Sequence, residues 1–372
     1  MEEIIQTQSQ EQGASPCPCV SVLVPIYNVE RYLRQCLDSL RAQSMGDFEV
    51  ICINDGSTDG SREIIQEYLD CDDRFMVLDK ENSGYGSSMN QGLSMAQGKY
   101  VAILESDDFF SDDALERLVS AAESHGAQVA KANFDLYWSV PSERRELFGI
   151  VDDGMSGRAY APVTEPSIFY KKPSIWSAVY RKDFLDANGI RFLETPGASY
   201  QDASFNFKVW ACADRAAFIT NSVLSYRQDN EKSSVNSPSK VYCVCDEYEE
   251  MQRFLDAHPE KKASLQGILE RMKFDTYMWN YDRLGADLKA DFLERAAAEF
   301  RTDLADGKVD LSLFEVWAEA DLRALLDDPK AFEECRAKYA QAGKLNTFKH
   351  YYRLGGMPLI AKLLAAKYSK GK

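Results

Sequence analysis

Histidine is nearly missing from this chain: three residues in 372, His125, His258 and His350, far apart along the sequence. That scarcity excludes a histidine-built transition-metal centre, and cysteine does not supply one either. The nine cysteines include two Cys-x-Cys pairs, Cys17/Cys19 and Cys243/Cys245. No second Cys or His pair accompanies them, so they read as ordinary thiols. Cys36, Cys52 and Cys212 lie within apolar patterns suited to reduced, buried thiols, which points to a cytoplasmic protein. Positive charge is short as well. Lys and Arg number 43 against 59 Asp and Glu, a net charge of −16, which excludes nonspecific nucleic-acid binding. No stretch approaches the ~20 consecutive apolar residues that a membrane span needs. The Gly-x-Gly-x-x-Gly turn of a dinucleotide-binding oxidoreductase is absent after the first β-rich run.

What is present is a globular composition, 45% hydrophobic and 27% charged, in a chain long enough for two domains. Residues 1–19, rich in Gln, Ser and Glu and without an apolar core, read as a flexible tail rather than a signal peptide. From Val20 to about Phe134 short β-rich runs alternate with helical periodicity. The expected strands are 20–26, 48–53, 75–78, 100–104 and 127–134, and Asn28 is placed to cap the first helix. Such alternation predicts an α/β fold, a mostly parallel sheet flanked by helices. Residues 135–238 are mixed and rich in aromatics. Residues 239–343 read as an added helical C-terminal region, and 344–372 as a basic amphipathic tail with seven Lys/Arg and no Asp/Glu. In such sheets ligands bind beyond the carboxyl ends of the strands. The distinctive polar residues gather there: Pro25-Ile-Tyr-Asn28, Asn54-Asp55-Gly56, Lys80 to Gly84, and Glu105 to Asp108.

Val20-Ser-Val-Leu-Val-Pro-Ile-Tyr-Asn28, Asn54-Asp-Gly-Ser-Thr-Asp59, Asn82-Ser-Gly84 with Asn90-Gln-Gly92, and Glu105-Ser-Asp-Asp108 follow one another in this order. The ordered set resembles the family 2 glycosyltransferases, strongly over residues 20–120 and recognisably to about 230. The resemblance implies a GT-A fold, with a nucleotide-sugar half in 20–134 and an acceptor half in 135–238. Tyr27 supplies a flat face for a base, and the backbone around Pro25 and Asn28 can read its edge. Asp55 matches the family's Asp that accepts from the uracil imide, which implies a UDP-sugar donor; Asn82 and Gly84 belong to the donor loop. A leaving diphosphate needs a counter-charge that an acidic protein lacks, so a divalent cation is expected to supply it. Hard carboxylate oxygens suit Mg²⁺ or Mn²⁺. Asp107 and Asp108 are the expected ligands. Glu105 stands where the family often has Asp, and with Ser106 it is expected beside ribose, metal or a metal-bound water. Met89 stands where an Arg is common, so phosphate contact is expected to move to Lys80 or Arg227.

Gly197-Ala-Ser-Tyr-Gln-Asp202-Ala-Ser-Phe205 resembles the family's Glu-Asp-x-x-Phe segment, with Gln201 in place of the Glu. The resemblance implies that Asp202 is the catalytic base of an inverting enzyme, an effect of typically ~10²–10⁴-fold. Trp176 and Tyr180, four residues apart, offer aromatic faces to a sugar acceptor together with Gln201; the alternative is a helix that packs both rings on the core. Residues 229–239 are expected to form a mobile loop that closes over the donor. In the tail, Leu359, Ile360, Leu363 and Leu364 fall on one helical face near lysines. That face suits peripheral contact with the anionic inner surface of the plasma membrane, or docking on the protein itself. The expected activity is a metal-dependent, inverting transfer of a single sugar from a UDP-sugar to a hydroxyl of a glycan or lipid-linked glycan, in bacterial surface-polysaccharide assembly. The Gln-x-x-Arg-Trp motif and membrane spans usual in the family's processive synthases are absent. A sugar nucleotidyltransferase would show a Gly-rich, Arg/Lys-bearing loop where Pro25 to Asn28 stands. The presence of Asp55, Asp107, Asp108 and Asp202 together speaks against an inactive sugar-binding or scaffold subunit.

Overall fold

The computed structural model describes residues 17–197, 200–230, 241–339 and 343–369. Most of the expected 1–19 tail lies outside the described residues, as do positions 231–239 of the expected mobile loop and the 238/239 boundary.

Continuous apolar runs make the central strands. In β1 (Val20–Ile26) all but one residue is buried, and in β2 (Phe48–Asp55) all eight are, the mark of strands covered by helices on both faces. Helix α1 (Glu30–Arg41) turns Leu33, Cys36, Leu37 and Leu40 inward at helical spacing. The alternation continues through α2 (Ser61–Leu69), β3 (Phe75–Lys80), α3 (Tyr85–Met95) and β4 (Tyr100–Ile103). These four strands lie side by side in the order β3-β2-β1-β4, all parallel. Pro25 is tolerated in a central strand because β1 pairs with β4 only from Val20 to Leu23. A residue without an N–H therefore removes no bond on that side.

After β4 the chain forms β5 (Phe109–Phe110), α4 (Ala114–His125), β6 (Val129–Trp138), β7 (Arg144–Phe148) and β8 (Ala159–Tyr160). It continues through β9 (Ala178–Arg181), α5 (Lys182–Ala187), α6 (Gln201–Cys212) and β10 (Ala216–Arg227). The expected parallel run stops here. Strand β9 inserts antiparallel between β4 and β6, and the far edge reads β6-β10-β5. Hydrophobic alternation finds strands but is blind to their direction, which accounts for the difference.

Among the described residues the rest is helical: α7 (Cys243–Ala257), α8 (Pro259–Arg283), α9 (Ala286–Ala305), α10 (Val316–Asp327), α11 (Pro329–Tyr339) and α12 (Lys344–Ser369). Helix α12 breaks at Gly355–Gly356, two residues before Pro358. It docks on its own chain: His350 Nε2 lies 2.8 Å from Asp321 Oδ1, and Nδ1 lies 3.5 Å from Cys335 Sγ. The single apolar face expected for the tail is split by this docking. Ile360 is buried, whereas Leu364 is 52% exposed on the outward side with Met357 and Tyr368. No helix among the described residues is long and apolar enough to cross a membrane.

Candidate active site

The carboxyl ends of the four parallel strands open on one side of the sheet. Tyr27, just past β1, is 54% exposed, its ring available to a flat base. Asn28 does not cap α1. Val29 takes that place, and Asn28, at φ +51°, turns its Oδ1 to accept from the Thr58 N–H at 2.8 Å. Its side chain ties the end of β1 to the turn after β2.

Asp55 ends β2. Its Oδ1 accepts from the Ser83 N–H at 2.9 Å and pairs with Lys80, and its Oδ2 accepts from the Gly84 N–H at 3.1 Å. A carboxylate offers about four lone-pair directions, so one on Oδ2 remains for a base imide. The expectation that Lys80 contacts phosphate is not met here. Its ammonium is held by Asp55, by Ser83 Oγ at 2.6 Å and by Glu81 O at 3.0 Å, because a buried carboxylate demands a paired charge. Gly84 has φ +91°, and a Cβ there would lie 2.9 Å from Thr195 O; only glycine suits both conditions. Asn82 closes on the same turn, its backbone N 2.9 Å from where a Cβ on Gly56 would stand. The Tyr85 N–H donates to Gly197 O at 2.9 Å. The donor loop is thus clasped between β2 and the segment leading into α6.

The acidic cluster follows β4 directly. Glu105 Oε1 accepts from Tyr85 OH at 2.6 Å. Burial pushes the Glu105 carboxyl up to about 8, with Asp107 and Asp202 adding to the effect. Ser106 is buried beneath. Asp107 Oδ2 accepts from Asn230 Nδ2 at 2.8 Å. Asp108 is fully buried; its Oδ1 accepts from the Arg227 N–H at 2.8 Å, and its Oδ2 has no partner. Burial holds the Asp108 carboxyl far above the usual range, with Asp107 adding. Arg227 is committed too. Its Nε donates to Asp107 O at 2.9 Å and its Nη2 to Gln35, between the rings of Tyr32 and Tyr137. It clamps the acidic loop and is not free for phosphate.

No group of three His, Cys, Asp or Glu converges among the described residues. The cluster therefore offers a cation two carboxylates, Asp107 and the orphaned Oδ2 of Asp108. Mg²⁺-type sites take one or two carboxylates and complete themselves with phosphate oxygens and water, so this donor set fits one.

Asp202 lies in the first turn of α6, after Tyr200 at φ +61°. Burial pushes its carboxyl up to about 6, opposed by Lys172 and by Lys131. Its mutual influence with Glu105 sets it facing the acidic cluster. The other expected acceptor residues separate. Tyr180 is a core residue of β9, 1% exposed, with its hydroxyl donating to Ile175 O at 2.9 Å; a ring so enclosed offers no face to a sugar. Gln201 is 2% exposed and donates to Thr195 Oγ1 at 2.9 Å and Gly197 O at 3.2 Å, so it fixes the clasp. Trp176 sits in a short 3₁₀ turn, stacked on Tyr226 at 5.1 Å, not on a helix shared with Tyr180.

Four residues of the site carried no recognisable pattern. Tyr85 holds Glu105, and the loop motif just before it was the available signal. Lys131 and Lys172 face Asp202; burial lowers both, Lys131 to about 7. Glu247 reaches in from α7, 1% exposed, and its Oε2 accepts from the Ser204 N–H at 3.1 Å. Burial pushes this carboxyl up to about 8.

Residues 21–172 match the sequence model of glycosyl transferase family 2. Over that stretch the chain resembles the family 2 glycosyltransferases. Among curated relatives, glycosyltransferase GlyA of Streptococcus pneumoniae serotype 4 is 32% identical over 216 residues, covering 56% of this chain and 30% of that protein. Putative glycosyltransferase EpsH of Bacillus subtilis is 31% identical over 219 residues, covering 56% of this chain and 61% of that one. The chain therefore spans less than two thirds of either relative. Among solved structures, S. aureus TarS 1–349 superposes with a TM-score of 0.65 at 22% identity, over 87% of this chain and 93% of TarS 1–349. That likeness is one of fold, and it extends through the helical region.

Proposed function

We propose that this glycosyltransferase is inverting and metal-dependent, and moves a single sugar from a UDP-sugar to a hydroxyl of a glycan or lipid-linked glycan in surface-polysaccharide synthesis. The observation that carries the reading is Asp202, a lone carboxylate with its proton affinity brought near neutrality, facing the acidic cluster at the end of β4. A general base works best with a pKa near the operating pH. Tyr27 stacks on the base and the open direction on Asp55 Oδ2 receives its imide. A bound divalent cation would neutralise the diphosphate charge, held by Asp107 and Asp108. Asp202 accepts the proton of the attacking hydroxyl, and Trp176 lines the acceptor side. TarS has been solved in complex with UDP-GlcNAc, which supports a uridine donor, and the likeness to glycosyltransferase GlyA supports the transferase class. The reading places the enzyme in the cytoplasm, with the outward face of α12 on the anionic inner surface of the plasma membrane.

Thermal shift with UDP plus Mn²⁺ tests the donor side, since a ligand of the native state raises the midpoint by mass action. A response to NAD or to nucleoside triphosphates, with none to UDP and metal, refutes it. A panel of UDP-sugars assayed for slow hydrolysis then identifies the sugar.

A further inference from the structure

Phosphate needs cations, and the two expected ones are spent: Lys80 on Asp55 and Arg227 on the acidic loop. One cation beside the cleft is not. Lys172 Nζ lies 4.3 Å from the ring centre of Tyr226, 5.6 Å from Phe148, and 5.7 Å from both Phe134 and Trp176. Four aromatic faces hold the ammonium in place. Rings offer no lone pair, and among the described residues no acceptor lies within hydrogen-bond or ion-pair distance of Nζ. Lys172 is half-buried, so its three donors turn to solvent or to a ligand. A second donor in the same wall is orphaned: Trp176 is 7% exposed, and its Nε1 is buried with no partner. Trp176 and Tyr226 stack at 5.1 Å, so both donors belong to one rigid aromatic wall. Leaving a buried donor such as this indole N–H unpaired is costly unless a ligand completes it. The carboxylates of Asp202 and Asp108 influence Lys172 but make no contact with it, so a third anion would have no ion pair to displace.

We propose that Lys172 and the Trp176 indole N–H form a phosphate-recognition subsite in the wall of the cleft. The proposal deepens the nucleotide-sugar reading and rests on it for the source of the phosphate. That source is either the donor's diphosphate or a phosphate borne by the acceptor, and the chemistry is the same for both: an oxyanion taking one charged and one neutral hydrogen bond.

Titration calorimetry with UDP and with inorganic pyrophosphate, each with Mn²⁺, tests the donor arm on wild type, Lys172→Met and Trp176→Phe. KM for a phosphate-bearing glycan acceptor and for its phosphatase-treated form tests the acceptor arm. Losing a charged hydrogen bond is worth about 10- to 100-fold. If the donor is the source, Lys172→Met weakens UDP and pyrophosphate by that factor and leaves uridine unchanged. If the acceptor is the source, UDP affinity holds while KM rises about tenfold or more for the phosphorylated acceptor alone. Trp176→Phe, which keeps a ring and removes the N–H, changes the same quantity by a few-fold. Lys172→Arg restores most of it and controls for folding. The proposal is overturned if Lys172→Met, folded by circular dichroism, alters neither affinity nor KM and lowers only kcat; Lys172 then serves Asp202 alone. A wild type that binds pyrophosphate through Lys172 yet ignores UDP sinks the nucleotide-sugar reading and leaves the subsite standing.

Discussion

Replacing Asp202 by Asn should disable the enzyme and stabilise the protein at once. Burial raises the Asp202 carboxyl from its ordinary 3.8 to about 6. The ionised form is therefore disfavoured in the fold, and the stability lost to ionisation grows as pH rises from the unfolded value through the folded one. Above pH 6 that loss approaches roughly 3 kcal/mol, from a shift of about two units at 1.36 kcal/mol each. Asparagine cannot ionise and escapes it. Asp202→Asn should thus gain up to about 3 kcal/mol over wild type at pH 7, and only a few tenths at most at pH 3.5, where wild type is mostly protonated in both states. Transfer should fall ~10²–10⁴-fold with the base removed. In wild type, kcat/KM for transfer should drop below pH 6, because only about a tenth of Asp202 is ionised at pH 5, against about nine-tenths for an ordinary aspartate. Guanidinium unfolding at the two pH values and UDP release followed from pH 4.5 to 8 give the readouts, with UDP binding measured in parallel. Transfer that stays flat down to pH 5 while UDP still binds refutes the assignment. So does an Asn variant that retains more than a tenth of the rate.

Glu247 predicts a loss of the same sign over a wider window. Raised from 4.5 to about 8, it stays protonated in the fold at neutral pH, and stability should decline as pH climbs from about 4.5 to 8 and level off above; Glu247→Gln should flatten that decline in a melting-temperature series. Gly84→Ala forces a side chain into a left-handed backbone and against Thr195 O, a cost of about 1–3 kcal/mol, so the melting temperature and UDP affinity should fall together. Flotation with anionic vesicles should recover the protein, and Met357→Ser with Leu364→Ser should release it; equal binding to neutral vesicles would contradict an electrostatic role for the tail lysines.

The donor half was legible because its signals are local. A β-rich run, a turn and a polar strand end are encoded within a few adjacent residues, as in Phe48 to Asp55, and so the strand ends bearing Tyr27, Asp55 and Asp107 could be read directly. Asp202 was legible through a neighbouring pattern of residues, not through periodicity. Hidden were the partners fixed by distance in space. Nothing in the sequence near Lys80 says that it will be spent on Asp55, because that pairing depends on parallel register between β2 and β3. Tyr180 was misread for a related reason: an aromatic four residues from Trp176 suggests a shared helical face, whereas a 3₁₀ turn followed by an antiparallel strand turns the two apart. Lys172 depends on rings from three distant segments, which no window along the chain contains.

The match to the family's sequence model ends at residue 172, yet the proposed base stands at 202, and the carboxyl that receives the Ser204 N–H beside it comes from Glu247. On that proposal, part of the catalytic apparatus comes from residues beyond the stretch that the family model matches. An enzyme with a similar first half and an unrelated second half would need another prop for the first turn of α6. Swapping C-terminal regions between such enzymes should accordingly alter turnover before it alters donor choice.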